Sequence, residues 1–320
     1  MLRRVFSWRR YARSRELFRS PLAAHLRLAA VRTGSRPHRL DFRDGGQLSF
    51  ATPRGFRPLW DVVLAGDYDF EPECERDTLV LRQAGQPVGI RPDTSDTNCF
   101  REVYLDDVYG LNALDRPLRT VIDLGGNTGM FSLRVAAHAE RVICVEAVEA
   151  NLVVARRNLE RAGLASKVTL LQRAAAARSG EKIRIYLSGD ATSTFSTSPG
   201  FAELWGGLAG WVEVESIGLA DLFERYGVER CCLLKCDVEG AEYAIFEAAP
   251  LELLRRIDWL KLEIHLAEPE LSLARFELLA RRLVDAGFAL EHEPPRKSDG
   301  ALKRTFMLEG RRESDVPLGV

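Results

Sequence analysis

Hydrophobic positions after residue 119 follow two patterns, one typical of strands and one typical of helices. Short apolar or alternating runs predict strands at "RTVIDL", "RVICVEA", "KVTLLQRA", "KIRIYLSG", "WVEVESIG", "CCLLKCDV" and "DWLKLEIH". Apolar residues at helical spacing predict helices at "GMFSLRVAAHA", "ANLVVARRNLERAG", "LADLFERYG", "AEYAIFEAAP" and "PELSLARFELLARRLVDAG". "FALEHEP" and "ALKRTFMLEG" predict a hairpin that finishes the sheet. Strands that alternate with helices predict a doubly wound, mainly parallel α/β sheet.

The region before this sheet has a different pattern. "HRLDFRDGGQLSFATP" predicts a hairpin, because two alternating segments flank Asp44-Gly45-Gly46. Helices are predicted near residues 57–65 and 98–110. We therefore divide the chain into an N-terminal substrate or interaction region at 1–94, a cofactor domain at 95–310 and a tail at 311–320.

Residues 1–36 are strongly basic, with ten arginines and a single acid. Apolar residues are interleaved at roughly helical spacing, which predicts short amphipathic helices. Such helices either dock on a membrane surface or a protein partner, or pack on their own domain.

Composition narrows the class of protein. The formal net charge of −1 gives no global electrostatic argument for nucleic acid binding. The chain contains no apolar run of membrane-spanning length and no secretory signal core at the N-terminus. Its six cysteines form no CxxC pair, which favours free thiols over disulfides or a zinc site. We therefore expect a cytoplasmic protein.

A glycine-rich turn follows the first strand of the regular region. The strand leads into Asp123, and Gly125, Gly126 and Gly129 follow in the spacing D-x-G-G-x-x-G. Glycines let the backbone turn tightly and approach a ligand, although they also occur in turns without one. The spacing differs from the G-x-G-x-x-G dinucleotide fingerprint, and a leading carboxylate repels a pyrophosphate but suits a cation. The turn therefore favours S-adenosylmethionine over NAD.

A second acid strengthens the case for an adenosine cofactor. Glu146 ends the next strand, 23 residues after Asp123, where a carboxylate accepts hydrogen bonds from ribose hydroxyls. The adjoining Ala147 belongs to the same predicted site. By the same geometry, the end of the third strand is expected to border the adenine with residues Gln172, Arg173 and Ala174.

Several motifs in this order resemble one methyltransferase family. "SDTNCFREVYLDDVYG", "VIDLGGNTGMFSL", "VEAVEANLVVARRNL", "LLKCDVEGAEYAIFE" and "LKLEIH" are similar to segments of the FkbM-type S-adenosylmethionine-dependent methyltransferases, across about residues 95–265. The resemblance implies the class I methyltransferase fold, a Rossmann-like sheet of seven strands. It also implies transfer of a methyl group to a hydroxyl oxygen.

The resemblance assigns roles by position. It implies that the amino acid end of the cofactor is lined by Asp123, Gly125, Asn127 and Gly129, and that Glu146 holds the ribose. One departure is mild, since "VEAVEAN" lacks the proline that often follows the acid in the family, but Glu146 is intact. Residues 1–90 show little that matches, which leaves the substrate open.

Acids near the ends of two later strands are candidates for catalysis. Asp237 is expected to point into the cleft, where it contacts the cofactor and orients or deprotonates the acceptor hydroxyl. Glu263 and His265 alternate onto one face of the next strand, and a histidine accepts protons near neutral pH. Glu239 is a further candidate, although a helix cap also explains it. A hydrogen-bonded pair also explains Glu263 with His265.

A metal is the remaining alternative for these residues. Asp237, Glu263 and His265 carry donor atoms that suit a divalent cation, but their spacing does not demand one. We therefore predict a site without metal.

The long polar segment "YLSGDATSTFSTSPGFAELWGGLAGW", at residues 186–211, is typical of a lid or binding loop. Its hydroxyl side chains and Trp205 are candidates for contacts with an acceptor. The predicted function is O-methyl transfer from S-adenosylmethionine to a small molecule, glycan or natural product. The alternatives are a cofactor-binding scaffold docked through residues 1–36 and, less favoured, an NAD-dependent oxidoreductase. The sequence specifies neither the acceptor nor the oligomeric state.

Overall fold

The computed structural model describes most of the chain after residue 94 and separate stretches before it. The described residues are 12, 14–16, 18–24, 38–43, 47–50, 73–75, 78–83, 85–91, 94–188, 195–197, 203, 208–267, 271–292 and 304–312. They divide into two compact units, Met1–Asp107 and Val108–Val320.

The described residues of the first unit form two small antiparallel sheets. Strands β1 (His38–Asp41) and β2 (Gln47–Phe50) form the predicted hairpin. The second sheet was not predicted; its order is β3-β4-β5, and its strands are β3 (Glu73–Glu75), β4 (Thr78–Gln83) and β5 (Gln86–Ile90).

Helical structure in the first unit is shorter than the sequence predicts. Helix α1 (Asp96–Phe100) continues as a π-helix over Arg101–Leu105, so the helix predicted to reach residue 110 ends earlier. Residues 14–16 and 21–24 are also helical, within the basic segment expected to form short helices. The helix predicted near 57–65 lies outside the described residues.

The second unit is built on a seven-stranded sheet of order β15-β16-β14-β13-β6-β7-β8. All neighbouring pairs are parallel except those of β16, which is antiparallel to both of its neighbours. The strands are β6 (Leu118–Leu124), β7 (Ala139–Glu146), β8 (Val168–Gln172), β13 (Cys231–Cys236), β14 (Ile257–Leu266), β15 (Phe288–His292) and β16 (Arg304–Arg312). The predicted doubly wound, mainly parallel fold is confirmed, and β15 and β16 form the predicted hairpin, with β16 inserted between β14 and β15.

The helices that connect these strands pack on the sheet, because the apolar residues of each helix form one buried face. Helix α3, for example, buries Leu152, Ala155 and Leu159, which lie one turn apart. The helices are α2 (Met130–Ala136), α3 (Glu149–Arg161), α4 (Leu219–Arg225), α5 (Glu242–Ala248), α6 (Leu251–Leu254) and α7 (Leu273–Asp285). No helix of the described residues is long and apolar enough to cross a membrane.

Along the chain, a smaller sheet is inserted between β8 and β13 of the main sheet. Its order is β11-β10-β12-β9, and its strands are β9 (Ala174–Ala176), β10 (Lys182–Ser188), β11 (Phe195–Ser196) and β12 (Leu208–Gly218). Ile185 and Val214 pack with Val148 and Ala174 in one apolar cluster, which places this sheet beside the end of β7.

The order of strands fixes the position of a site. The connections reverse direction at β6, which lies between β7 and β13. In open α/β sheets ligands bind at this reversal, beyond the carboxyl ends of the strands. The residues that follow β6, β7 and β13 are therefore the first to consider.

Candidate active site

The glycine turn after β6 lies directly against the backbone after β13. Gly125 has a φ of +77°, and a Cβ built on it lies 1.7 Å from the carbonyl oxygen of Asp237. The Asp237 amide donates to the carbonyl oxygen of Leu124 at 3.0 Å. A glycine is therefore required here, because any side chain would push the two strand ends apart.

A cleft opens at these strand ends. Of the residues predicted from the sequence, the cleft is lined by Gly125, Asn127, Glu146, Ala147, Arg173, Ala174, Asp237 and Glu239. Its further lining residues, which the sequence did not single out, are Val145, Asn151, Ala175, Ile185, Thr197, Val238 and Ala241. The other predicted site residues are also described by the structure but do not line this cleft. They are Asp123, Gly126, Gly129, Gln172, Glu263 and His265.

Asp123 was expected to line the cofactor site, but its side chain lies behind the cleft. Its side chain is fully buried, and one carboxylate oxygen lies 3.2 Å from the Lys235 ammonium. The other accepts a hydrogen bond of 2.7 Å from the Ser132 hydroxyl. The cation that we inferred for this carboxylate is therefore supplied by Lys235 of the chain itself.

Gly126 and Gly129 serve the packing of the turn. A Cβ on Gly126 would lie 2.2 Å from the Cys144 sulfur, and one on Gly129 would lie 2.8 Å from Ala155 of α3. Gln172, at the end of β8, is exposed and pairs in register with Glu146.

Glu146 joins the glycine turn to the end of β7. One carboxylate oxygen accepts a hydrogen bond from the Asn127 amide, and the other accepts from the Val148 amide, each at 2.8 Å. The Asn151 side chain donates to the second oxygen at 3.5 Å. Burial raises the pKa of the Glu146 carboxyl, and these amides oppose that effect. A carboxylate has about four acceptor positions, so Glu146 retains capacity for a ligand hydroxyl.

Asp237 is the carboxylate most open to the cleft at the end of β13. Its side chain is 26% exposed, compared with 4% for that of Lys235, whose ammonium lies 3.9 Å away. Asp237 is thus open to a ligand in the cleft, and a buried cation lies behind it.

His265 lies between several carboxylates. Its Nδ1 is 3.1 Å from Glu242, and its Nε2 is 3.2 Å from Glu239 and 3.9 Å from Glu263. Glu242 is fully buried and also accepts hydrogen bonds from the backbone amides of His265 and Gly240. The imidazole is therefore held in one orientation by a buried acid.

This setting changes the role expected for His265. Burial alone lowers the pKa of an imidazole, but the charges of Glu242 and Glu239 raise the pKa of His265 well above its ordinary value. An imidazole that is protonated at neutral pH has no lone pair with which to take a proton. The arrangement therefore favours Asp237 over His265 as the proton acceptor.

Glu239 does not cap the following helix. Helix α5 begins at Glu242, and no side chain caps its first turn. Glu239 has a φ of +53°, which is uncommon for a residue with a side chain, and its carboxylate contacts His265 instead. Burial raises the pKa of the Glu239 carboxyl, and the charge of His265 opposes that effect.

Donor atoms of Asp237, Glu239 and His265 lie within 4.8 Å of one another, so the structure groups Glu239 rather than Glu263 with the other two. In this structure the side chains are joined to one another as an ion-pair network, in which His265 contacts Glu239 and Glu242.

The long segment after β10 reaches the same network. Ser196 is buried and donates a hydrogen bond of 2.7 Å from its hydroxyl to the backbone carbonyl of Glu239, and Thr197 lines the cleft. Trp205, the predicted aromatic contact, lies outside the described residues.

We expect the His265 imidazole to be protonated at pH 7 in the wild type. We expect it to lose this proton more easily when Glu242 is replaced by glutamine, which carries no charge. Because its pKa in the folded state lies above the ordinary 6.5, protonation favours folding. This contribution is complete below about pH 6.5 and is lost as the pH rises through the folded-state pKa. In Glu242→Gln the imidazole pKa should fall, and the free energy of unfolding should depend less on pH above 6.5.

Imidazole ¹⁵N shifts and denaturant titrations across this pH range measure both effects. Glu247→Gln is the matched control, since Glu247 lies on the same helix α5 and pairs with Arg275. A neutral His265 in the wild type at pH 7 would contradict this prediction.

The comparisons with known proteins identify one family. The family model described as "Methyltransferase FkbM domain" matches residues 123–289. This range begins at Asp123 and includes all of the cleft residues named above. No curated protein matches the chain.

Solved structures with a similar fold share little sequence with this chain. The methyltransferase FkbM from Methylobacillus flagellatus KT is 15% identical with a TM-score of 0.39, and the match covers 67% of this chain and 52% of that one. A precorrin-6y C5,15-methyltransferase from Geobacter metallireducens GS-15 is also 15% identical, with a TM-score of 0.36 and coverage of 65% and 86%. A putative methyltransferase from Streptococcus mutans in complex with SAH is 14% identical, with a TM-score of 0.40 and coverage of 66% and 98%.

Proposed function

Because this chain belongs to the FkbM family of S-adenosylmethionine-dependent methyltransferases, we propose that it methylates a hydroxyl oxygen of a small molecule, sugar or natural product. The observation that carries the proposal is the position of Asp237. This carboxylate lines the cleft beside the glycine turn, and its side chain is partly exposed. A hydroxyl acceptor needs a proton acceptor at this place, since it must lose its proton when it is methylated.

The residues of the cleft fit the cofactor of this family. Glu146 has acceptor capacity for a ribose hydroxyl, and Ala147, Ala174 and Ile185 supply an apolar wall beside it for an adenine. We assign the amino acid end of the cofactor to Gly125 and Asn127 of the glycine turn, which also line the cleft. The carboxylates of the cleft complement a ligand with sulfonium and ammonium charges.

Asp123, Gly126 and Gly129 support this cofactor site from behind. They hold the ends of β6 and β7 and the start of α2 together through the contacts described above. Gln172 and Arg173 are assigned to the rim beside the adenine, where Arg173 lines the cleft.

In the proposed reaction, S-adenosylmethionine supplies an electrophilic methyl group bound to a sulfonium sulfur. Asp237 accepts a hydrogen bond from the acceptor hydroxyl and takes its proton as the new carbon–oxygen bond forms and the carbon–sulfur bond breaks. Charge is neutralised in this step, so the chain contributes mainly orientation and exclusion of water. Glu239, Glu263 and His265 fix the wall of the cleft beside Asp237.

Incubation with S-adenosylmethionine carrying a ¹³C-methyl group tests the proposal on a panel of polyhydroxylated sugars and phenolic or polyketide alcohols. We expect S-adenosylhomocysteine to form together with a product whose ¹³C shift is that of a methyl ether. The matched control is the same acceptor with the methylated hydroxyl replaced by hydrogen, which should give neither product.

Label on nitrogen or carbon would overturn the O-methyl assignment. Cofactor binding without transfer to any acceptor would favour a scaffold. For that case we propose that residues 1–36 dock the protein on a partner or membrane, which binding of the full chain to anionic vesicles measures.

A further inference from the structure

Lys235 is a buried charge in the middle of the main sheet. It lies on β13 within "CCLLKC", pairs in register with Asp123 of β6 and Lys261 of β14, and is 3% exposed. Burying an ammonium group costs free energy unless its charge and its hydrogen-bond donors find partners. The partners of Lys235 therefore indicate why the sheet contains it.

The Lys235 ammonium contacts both halves of the proposed active site. It donates a hydrogen bond of 2.7 Å to the carbonyl oxygen of Gly125 in the glycine turn and a longer one, of 3.5 Å, to that of Leu124. It lies 3.2 Å from the Asp123 carboxylate and 3.9 Å from that of Asp237. The face of Tyr109 covers it, with its ring centre 5.9 Å from the ammonium.

The charges at this point are strongly coupled. Burial opposes the charge of Lys235, but Asp123 and Asp237 raise the pKa of its ammonium above the ordinary value, so it remains a cation. The charged groups near Asp237 are Lys235 from its own strand, Glu239 from the following turn and His265 from β14. Lys235 is the cation that contacts both the fully buried Asp123 carboxylate and the partly exposed Asp237 carboxylate.

We propose that Lys235 is a positioning residue for methyl transfer, which holds the Asp237 carboxylate and the cofactor-binding turn at a fixed separation. This inference rests on the proposed function. One ammonium contacts the turn that is to hold the methyl donor and the acid that is to take the acceptor's proton. A misplacement of about 1 Å between reacting groups is enough to cost about 10²-fold in rate, so a rigid link between the two has a direct catalytic value.

The Lys235→Met variant tests this proposal, with Lys167→Met as its matched control. The Lys167 ammonium also donates to two backbone carbonyls, those of Ala136 and Ala139, but it lies away from the cleft. We expect Lys235→Met to lower kcat on the order of 10²-fold while the Kd for S-adenosylmethionine changes much less. Lys167→Met should retain the wild-type kcat.

The split between kcat and the Kd for S-adenosylmethionine separates positioning from a general loss of structure. A damaged fold would weaken cofactor binding and lower kcat together, whereas loss of a positioning residue lowers kcat and leaves the Kd largely unchanged.

Removal of Lys235 leaves the Asp123 charge buried without the opposite charge that now lies 3.2 Å from it, which can prevent folding. The double variant Lys235→Met with Asp123→Asn removes both charges, and we expect it to fold and to show the same loss of kcat. Lys235→Arg, which retains the charge, should recover part of the activity. If the double variant keeps full kcat, the proposal is overturned.

This outcome is distinguishable from failure of the proposed function. Calorimetry on the wild type first measures binding of S-adenosylmethionine, and the labelled-methyl assay measures transfer. Wild-type protein that fails both refutes the function, whereas wild-type turnover with an unaffected double variant refutes only the role of Lys235.

Discussion

Replacement of Asp237 by Asn is expected to abolish most methyl transfer while leaving cofactor binding largely intact. Asn keeps the shape of the side chain at the end of β13 but removes the charge that accepts a proton. General base catalysis by a positioned side chain contributes about 10²–10⁴-fold, so we expect kcat to fall by this factor. Glu146 and the glycine turn are unchanged in this variant, and the Kd for S-adenosylmethionine should therefore change little.

Steady-state kinetics with an acceptor found in the labelled-methyl assay, together with calorimetry, measure the two quantities separately. Asp285→Asn is the matched control, because Asp285 is an exposed carboxylate at the end of α7 and does not line the cleft. Asp237→Ala extends the test, since it removes the side chain as well as the charge. Undiminished transfer by either Asp237 variant would rule out Asp237 as the proton acceptor.

The alternative acceptor within the network makes a different prediction. If His265 took the proton, Asp237→Asn would retain turnover and neutralisation of Glu242 would remove it, because Glu242 orients the imidazole. The charge balance around His265 opposes this route, since two carboxylates within 3.2 Å stabilise the imidazolium. The two variants therefore discriminate between the candidates.

The main sheet was predictable because its strands are buried on both faces. "RTVIDL" and "CCLLKCDV" are near-continuous apolar runs, and a parallel sheet with helices on both sides produces this pattern. The acids Asp237 and Glu146 were found because they come at or just after the ends of such runs, where ligands bind in this class of fold.

The sheet of β3, β4 and β5 was missed although a signal was present. Its turn lies between Gln83 and Gln86, where Gly85 has a φ of +80°, and this is typical of a two-residue hairpin. Charged residues before Thr78 hid the strand pattern, since Cys74 of β3 is flanked by Glu73 and Glu75.

The ion-pair network was beyond sequence reasoning for a geometric reason. Glu242 and His265 are 23 residues apart, and their contact depends on how the start of α5 lies against the end of β14. The pairing of Asp123 with Lys235 depends on the register of β6 with β13, which no local pattern specifies. A lysine inside an apolar strand was nevertheless a visible signal, because a buried charge requires a partner.

Replacement of Gly125 by Ala is expected to have the largest effect on stability and to abolish cofactor binding. Its φ of +77° is strained for any residue with a side chain, which costs about 1–2 kcal/mol. The new Cβ would also lie 1.7 Å from the Asp237 carbonyl oxygen, and backbone atoms cannot move aside as a flexible side chain can. Relief of this clash requires β6 and β13 to separate, at a further cost of roughly 1–3 kcal/mol or more.

Gly180→Ala separates the two contributions, because Gly180 has a φ of +80° and a Cβ added there would meet nothing within 4 Å. It should lose only the conformational part, about 1–2 kcal/mol, and keep wild-type affinity for S-adenosylmethionine. Denaturant unfolding and calorimetry on both variants measure the difference. If the two variants are equally stable and both bind the cofactor, the turn does not depend on close contact with Asp237. If Gly125→Ala alone loses both properties, the glycine after Leu124 is what allows the cofactor turn and the catalytic acid to approach each other.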